Sequence, residues 1–203
     1  KSDGPTVDVI RDLNVLPVLK RYGVPFVNFD EDDWIDLKIP GIYWKNFKAP
    51  RSIYEADKRV YLANVRCHSA ARFTASLKLS VGWISDEDRA YLHEDNSLTE
   101  WKIADLNLGW QPNLVFIDGR RSTTGRYGRG PYVYPNTVIA SGDMVAADAV
   151  AIKLLRAFPD DNLIGVPLEE MGQFSTAVKL GLGSLEYTLL EAEGNAETLQ
   201  KSR

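Results

Sequence analysis

The chain of 203 residues carries 24 Lys and Arg against 28 Asp and Glu, a formal net charge of -4, and 44% of its residues are hydrophobic. That balance suits a folded chain with a sizeable core and gives no electrostatic case for nucleic acid or an anionic membrane as partner. No apolar run approaches the roughly 20 residues that span a bilayer, and the single cysteine, Cys67, excludes an internal disulfide and any iron–sulfur cluster held by this chain's own cysteines.

The chain opens KSDGPTV, with neither an initiator Met nor a charged-then-apolar signal segment, which is read as a start after a processing point or a truncation. Apolar residues at 9, 10, 13, 16 and 19 predict a helix over 9–22, kinked at Pro17 and ended by Gly23. VPFVNF (24–29) reads as a strand entering the core. The stretch 30–50 is acidic and then aromatic, and reads as an excursion from the core. Asp30 to Asp33 is taken as a solvated turn, while Trp34, Tyr43, Trp44 and Phe47 either cover the domain or form a contact surface.

RVYLANV (59–65) predicts a strand that delivers Arg66, Cys67 and His68 at its carboxyl end, the end at which open α/β sheets bind ligands. A short helix is expected over 85–93, with acidic residues in its first turn. Ser97 and Glu100 have capping-box spacing before a helix over 101–108. NLVFID (113–118) and TVIA (137–140) read as further strands, and Asp143 as the cap of a helix running to Phe158 and stopped by Pro159. A helix over 168–180, a turn at 181–183 and a strand over 185–191 complete the pattern. The alternation predicts an α/β fold, one mixed or mostly parallel sheet flanked by helices, as a single domain over 1–194 with a polar tail over 195–203.

Three strands then end in polar groups: Arg66 and His68; Asp118 and Gly119; Ser141, Gly142 and Asp143. In a parallel sheet these groups converge, whereas an antiparallel arrangement scatters them. His68 and His93 are the chain's two histidines, and they flank a segment that also holds Thr74, Ser76 and Lys78. Imidazole exchanges protons or takes a metal near neutral pH, so His68 and His93 are candidate proton-transfer groups or metal ligands, with Lys78 as a partner for a carboxylate or phosphate. The stretch 118–131, DGRRSTTGRYGRGP, supplies Asp118, Arg120, Arg121, Arg126 and Arg129 among glycines, a pattern suited to gripping an anion. Its spacing matches neither the P-loop nor the dinucleotide fingerprint. Asp148 lies within an apolar, alanine-rich helix and therefore requires a backbone donor, a cation or a basic side chain as partner.

These motifs resemble the prokaryotic domain-of-unknown-function family 362. Its Lys-x-His motif corresponds to Arg66-Cys67-His68, followed by Thr74, by Ser76-Leu77-Lys78 and by Val81-Gly82. A later Arg and His correspond to Arg89 and His93. Its strand ending in Asp-Gly corresponds to Ile117-Asp118-Gly119, and its Gly-Pro to Gly130-Pro131. The Ser-x-Asp-x-x-Ala-x-Asp-Ala signature corresponds to Ser141, Asp143, Ala146, Asp148 and Ala149, and a closing Gly-Leu-Gly to 181–183. The resemblance runs over 24–193. Arg66 stands where the family has lysine and Leu79-Ser80 where asparagine is common, departures that imply an altered ligand or lowered activity. The resemblance implies that an N-terminal strand–helix portion lies outside this chain, and it implies a redox or metal association, since many relatives are fused to ferredoxin-like iron–sulfur modules and others carry export signals.

The expected function is a polar site binding an anion or a divalent metal in a redox-associated enzyme, lined by His68, Thr74, Lys78, His93, Asp118, the loop arginines, Asp143 and Asp148. The alternative is a non-catalytic binding or assembly module using the basic loop and the aromatic segment 34–47 to hold a protein partner or a second copy. Compartment, substrate and oligomeric state are left open by the sequence.

Overall fold

A computed structural model describes residues 5–125, 130–158 and 163–190. Arg126, Arg129, Pro159, the tail 195–203 and the last residue of the strand expected over 185–191 lie outside the described residues.

Two short helices stand where one kinked helix was expected: α1 (Thr6–Asp12) and α2 (Val15–Arg21). The break falls ahead of Pro17, at Asn14, whose backbone is left-handed with φ 54°. Pro17 sits in the first turn of α2, where a missing amide costs no helical hydrogen bond. Residues 24–28 form no strand; Val24 and Val27 are about half exposed, at 49% and 50%.

Strands β1 (Trp34–Lys38) and β2 (Asn46–Pro50) form an antiparallel hairpin. This stretch is no excursion. Trp44 and Phe47 are 3% and 1% exposed and belong to the core, with Trp44 edge-on to Phe47 and Tyr91, and Phe47 edge-on to Trp110. Burying such rings removes large apolar areas from water, and their edge contacts add to it. Trp34 alone of the four is substantially exposed, at 38%.

Helix α3 (Arg51–Glu55) leads to β3 (Val60–Asn64), and β4 (Arg66–His68) pairs antiparallel with β5 (Arg72–Thr74). A 3-10 segment, Leu77–Trp83, precedes α4 (Asp86–Glu94), and α5 (Thr99–Leu106) leads to β6 (Leu114–Gly119). The short strands β7 (Ser122–Thr123) and β8 (Tyr132–Val133) form a ribbon before β9 (Thr137–Ser141), and α6 (Met144–Leu155) and α7 (Gly172–Lys179) follow. Residues 185–190 form no strand.

The architecture is α/β, but the expected single sheet is four small ones: β3-β6-β9 and three two-stranded pairs. In the three-stranded sheet β3 runs parallel to β6, and β9 runs antiparallel to it. A parallel return needs a crossover, usually a helix. The chain between β6 and β9 instead carries the β7–β8 pair, and it returns in the opposite sense. One face of this sheet, with Tyr61, Ala63, Val115, Ile117 and Ile139, is buried in the main core with Val145, Ala149 and Ile152 of α6. On its other face Val60, Leu62 and Val138 are 53%, 75% and 58% exposed.

Candidate anion site at the carboxyl end of β3

Strand alternation puts Arg66 and His68 on one face of the β4–β5 ribbon and Cys67 on the other. Cys67 and its cross-strand partner Phe73 are 1% and 0% exposed, so the ribbon is pinned by its apolar face and presents its basic face outward. Arg66 pairs with Thr74 across the ribbon, and both line a cleft of about 950 Å³. Thr74 Oγ1 is buried without a hydrogen-bonding partner among the described residues.

Lys78 lies on the 3-10 segment that follows. Its ammonium is pushed down to about 8, first by burial and then by the charges of Arg66 and Arg89. Among the described residues it makes neither hydrogen bond nor ion pair with a carboxylate. His68 is pushed down to about 4 by burial, then by Lys78, Arg66 and His93. Burial also lowers His93, and the charges of Lys78, Arg89 and Lys102 act in the same direction, against a hydrogen bond to Asn96 that favours the cation. His68, Lys78 and His93 thus share one electrostatic neighbourhood. Arg66 and Arg89 join them. Arg89 and His93, already paired by the family motif, lie one helical turn apart on α4, a spacing that puts them on one face.

Ser85 caps α4 by accepting the Asp88 amide at 3.1 Å, and Asp88 in turn accepts the Lys48 amide at 2.7 Å. The 3-10 segment is fixed more firmly. Asp148 of α6, 0% exposed, accepts the Ser76 amide at 2.8 Å, the Ser76 hydroxyl and the Leu77 amide at 2.9 Å. Burial pushes its carboxyl up to about 7 against those three donors. Asp148 is therefore a tether that holds Lys78 in place rather than a ligand-facing group.

Asp143 also has structural partners. One oxygen accepts the Val145 and Ala146 amides as the cap of α6, and the other accepts the Ser184 amide at 2.9 Å. A Cβ on Gly183 would lie 2.1 Å from that carboxylate, which explains a glycine there. Because β9 is antiparallel, its carboxyl end with Ser141 and Asp143 lies at the far end of the sheet from Asp118; Ser141 pairs with Val115.

Asp118 and Arg120 line the cleft but engage each other. Arg120 donates through its amide and Nε to Oδ1 at 3.0 Å and through Nη2 to Oδ2 at 2.7 Å, and these bonds hold the Asp118 carboxyl down to about 2. Arg121 stacks over Tyr132, 4.8 Å from the ring centroid. Among the described residues, Arg120 is thus held by Asp118 and Arg121 packs on Tyr132, while Arg66 lines the same cleft without an ion pair.

The Ser97–Glu100 capping box is not formed. Asp95 accepts the Ser97 amide, whereas Glu100 receives Arg72 Nε at 3.0 Å and the Gly172 amide at 2.9 Å. A charged donor outcompetes the local amide.

The two histidines do not fit a metal. Among the described residues no three His, Cys, Asp or Glu side chains are placed to hold one. His68 Nδ1 accepts the Ala71 amide at 3.2 Å, and the surrounding cations oppose a further positive charge. One cysteine likewise cannot hold the cluster that the family resemblance implies. No described helix is long and apolar enough to cross a membrane.

A family model described as Domain of unknown function (DUF362) matches residues 1–153. The match contains every member of the basic cluster. It begins ahead of the expected residue 24 and ends before the Gly-Leu-Gly at 181–183. Comparisons with curated proteins and with solved structures give no match.

Proposed function

The chain belongs to the DUF362 family, and from that starting point we propose that it binds a small oxyanion, a phosphate or carboxylate, at Lys78. The Arg66 charge acts on this position, Thr74 is the cross-strand partner of Arg66, and His68 and His93 serve as uncharged hydrogen-bonding neighbours. The observation that carries the reading is Lys78 itself, a mostly buried ammonium without a counterion among the described residues and among other cations. An anion would relieve that repulsion and supply the missing pair. Thr74 Oγ1, buried and unpartnered, is a ready hydrogen-bond donor for the same ligand. Imidazoles kept uncharged at neutral pH can accept hydrogen bonds from a protonated ligand without adding to the positive charge around Lys78. The redox association of the family would then draw on a cluster held by another chain or segment.

Calorimetric titration with inorganic phosphate at pH 7 tests this. Wild type should bind and Lys78→Met should lose tenfold or more, about 1.4 kcal/mol, with no loss of stability because a desolvated cation has been removed. Affinity should fall as pH rises through 8, where the ammonium gives up its proton. Equal affinity in the two proteins would refute the assignment.

A further inference from the structure

A second cleft, of about 820 Å³, opens between α1, β1 and the start of α4. Neither Lys78 nor Arg66 lines it, so it stands apart from the oxyanion position. Its volume falls within the range of about 300–1,000 Å³ typical of small-molecule sites, which combine apolar walls with a few polar groups. The apolar walls here include Ile10, Phe29, Trp34, Trp83 and Ile84. What distinguishes the cleft is the state of its charged groups.

Several polar side chains that line it are already engaged. Asp30 accepts the Thr6 amide at 3.2 Å, Lys48 reaches Glu87 at 3.4 Å, and the Ser85 hydroxyl donates to Asp88 at 2.7 Å. Asp86 and Arg89 are not. Among the described residues neither makes an ion pair, and the Asp86 carboxylate accepts no hydrogen bond. Arg89 Nε is buried without a partner among the described residues, and the contact of its Nη2 with the Ile84 carbonyl is long, at 3.4 Å. The two residues stand three apart at the start of α4, a spacing that puts β-carbons about 5–6 Å from each other on one face. They nevertheless do not pair. An apolar cleft thus presents an open anionic group and an open cationic group side by side.

We infer that this cleft binds a free α-amino acid with a large apolar side chain, its carboxylate on Arg89, its ammonium on Asp86 and its side chain against Trp34 and Trp83. A guanidinium takes a carboxylate through charge-assisted hydrogen bonds, and a carboxylate takes an ammonium in the same way. An apolar anion would answer Arg89 and be repelled by Asp86, an apolar cation would do the reverse, and a neutral molecule would leave both charges unmet. A zwitterion answers both. The charged groups of an α-amino acid share one carbon, which suits partners one helical turn apart, whereas a longer zwitterion holds its charges too far from each other. The aromatic walls then favour a large apolar side chain over a small one.

Calorimetric titrations of the whole chain with L-phenylalanine, N-acetyl-L-phenylalanine, L-phenylalaninamide and glycine decide the matter. L-phenylalanine should bind at least fivefold more tightly than each of the others, which lack in turn the ammonium, the carboxylate and the side chain. Asp86→Asn, an isosteric change at an exposed position, should weaken L-phenylalanine about threefold to fivefold, as for a charge pair at a partly exposed position, and leave the N-acetyl compound unchanged. Absence of L-phenylalanine binding at millimolar concentration overturns the inference. So does equal binding of any of the three analogues, or an L-phenylalanine affinity that Asp86→Asn leaves as it was. Phosphate titration of Lys78→Met reads the oxyanion position separately, so either reading can fail while the other stands.

Discussion

Lys78 shows how one residue sets the charge state of its neighbours. With its ammonium and the Arg66 guanidinium close by, His68 is uncharged at neutral pH and titrates only near 4. In the unfolded chain histidine takes its proton near 6.5. Between those values the unfolded state binds more protons than the folded one, so stability rises with pH there and falls on acidification. A His68→Gln variant should lack this component. By pH 4 wild type should have lost about 2 kcal/mol more than the variant, after discounting for partial exposure, as measured by urea unfolding across pH 4–7. The histidines and the lysine were legible as a group because they lie within one short stretch of chain. Arg89 was matched only as part of the family motif and given no place in the site, because nothing in its local sequence says that α4 brings its charge to Lys78.

At the scale of elements, the site depends on the joint between α6 and the 3-10 segment. Two backbone amides and a hydroxyl converge on Asp148, so Asp148→Ala strands three buried donors. The cost should be about 3–5 kcal/mol in denaturant unfolding, since each buried donor left unpaired costs about 1–3 kcal/mol. Any folded Asp148→Ala protein should also bind phosphate more weakly, because Lys78 loses its support. Sequence identified Asp148 as a carboxylate in need of a partner, since an acid amid alanines on an apolar helix has few alternatives. It did not identify Ser76 and Leu77, which are brought to it only by the fold. The Arg72–Glu100 pair was hidden for the same reason, and a plausible local cap stood in its place. Arg72 adopts φ 62°, a conformation unusual for a side chain of its size, and the pair with Glu100 helps to hold it there.

Across the whole molecule, rigidity is unevenly distributed. β6 is hydrogen-bonded on both sides, and its inward side chains are fully buried, whereas α1 and α2 contain no buried residue and are too short to persist alone. Amide hydrogen exchange should therefore be slowest in β6, by several orders of magnitude relative to α1 and α2, and comparable rates would contradict this distribution. The apolar strands β3 and β6 and the helix α6 were readable because their patterns run over many residues. The direction of β9 was not, since TVIA (137–140) reads the same in either sense, and four sheets were mistaken for one because three of them consist of strands of only two to five residues. Val24–Phe29 and Leu185–Glu191 resemble strands in composition but have no neighbour to complete a ladder over their described residues.

The apolar underside of the β4–β5 ribbon has one more consequence. Its thiol, Cys67, is the chain's one cysteine and is 1% exposed, and His68 of the basic cluster is the next residue along. A thiol-reactive dye can mark this protein only when the ribbon lifts from the core. The labelling rate is therefore a clock for opening at the site, and the chain carries that clock without any engineered probe.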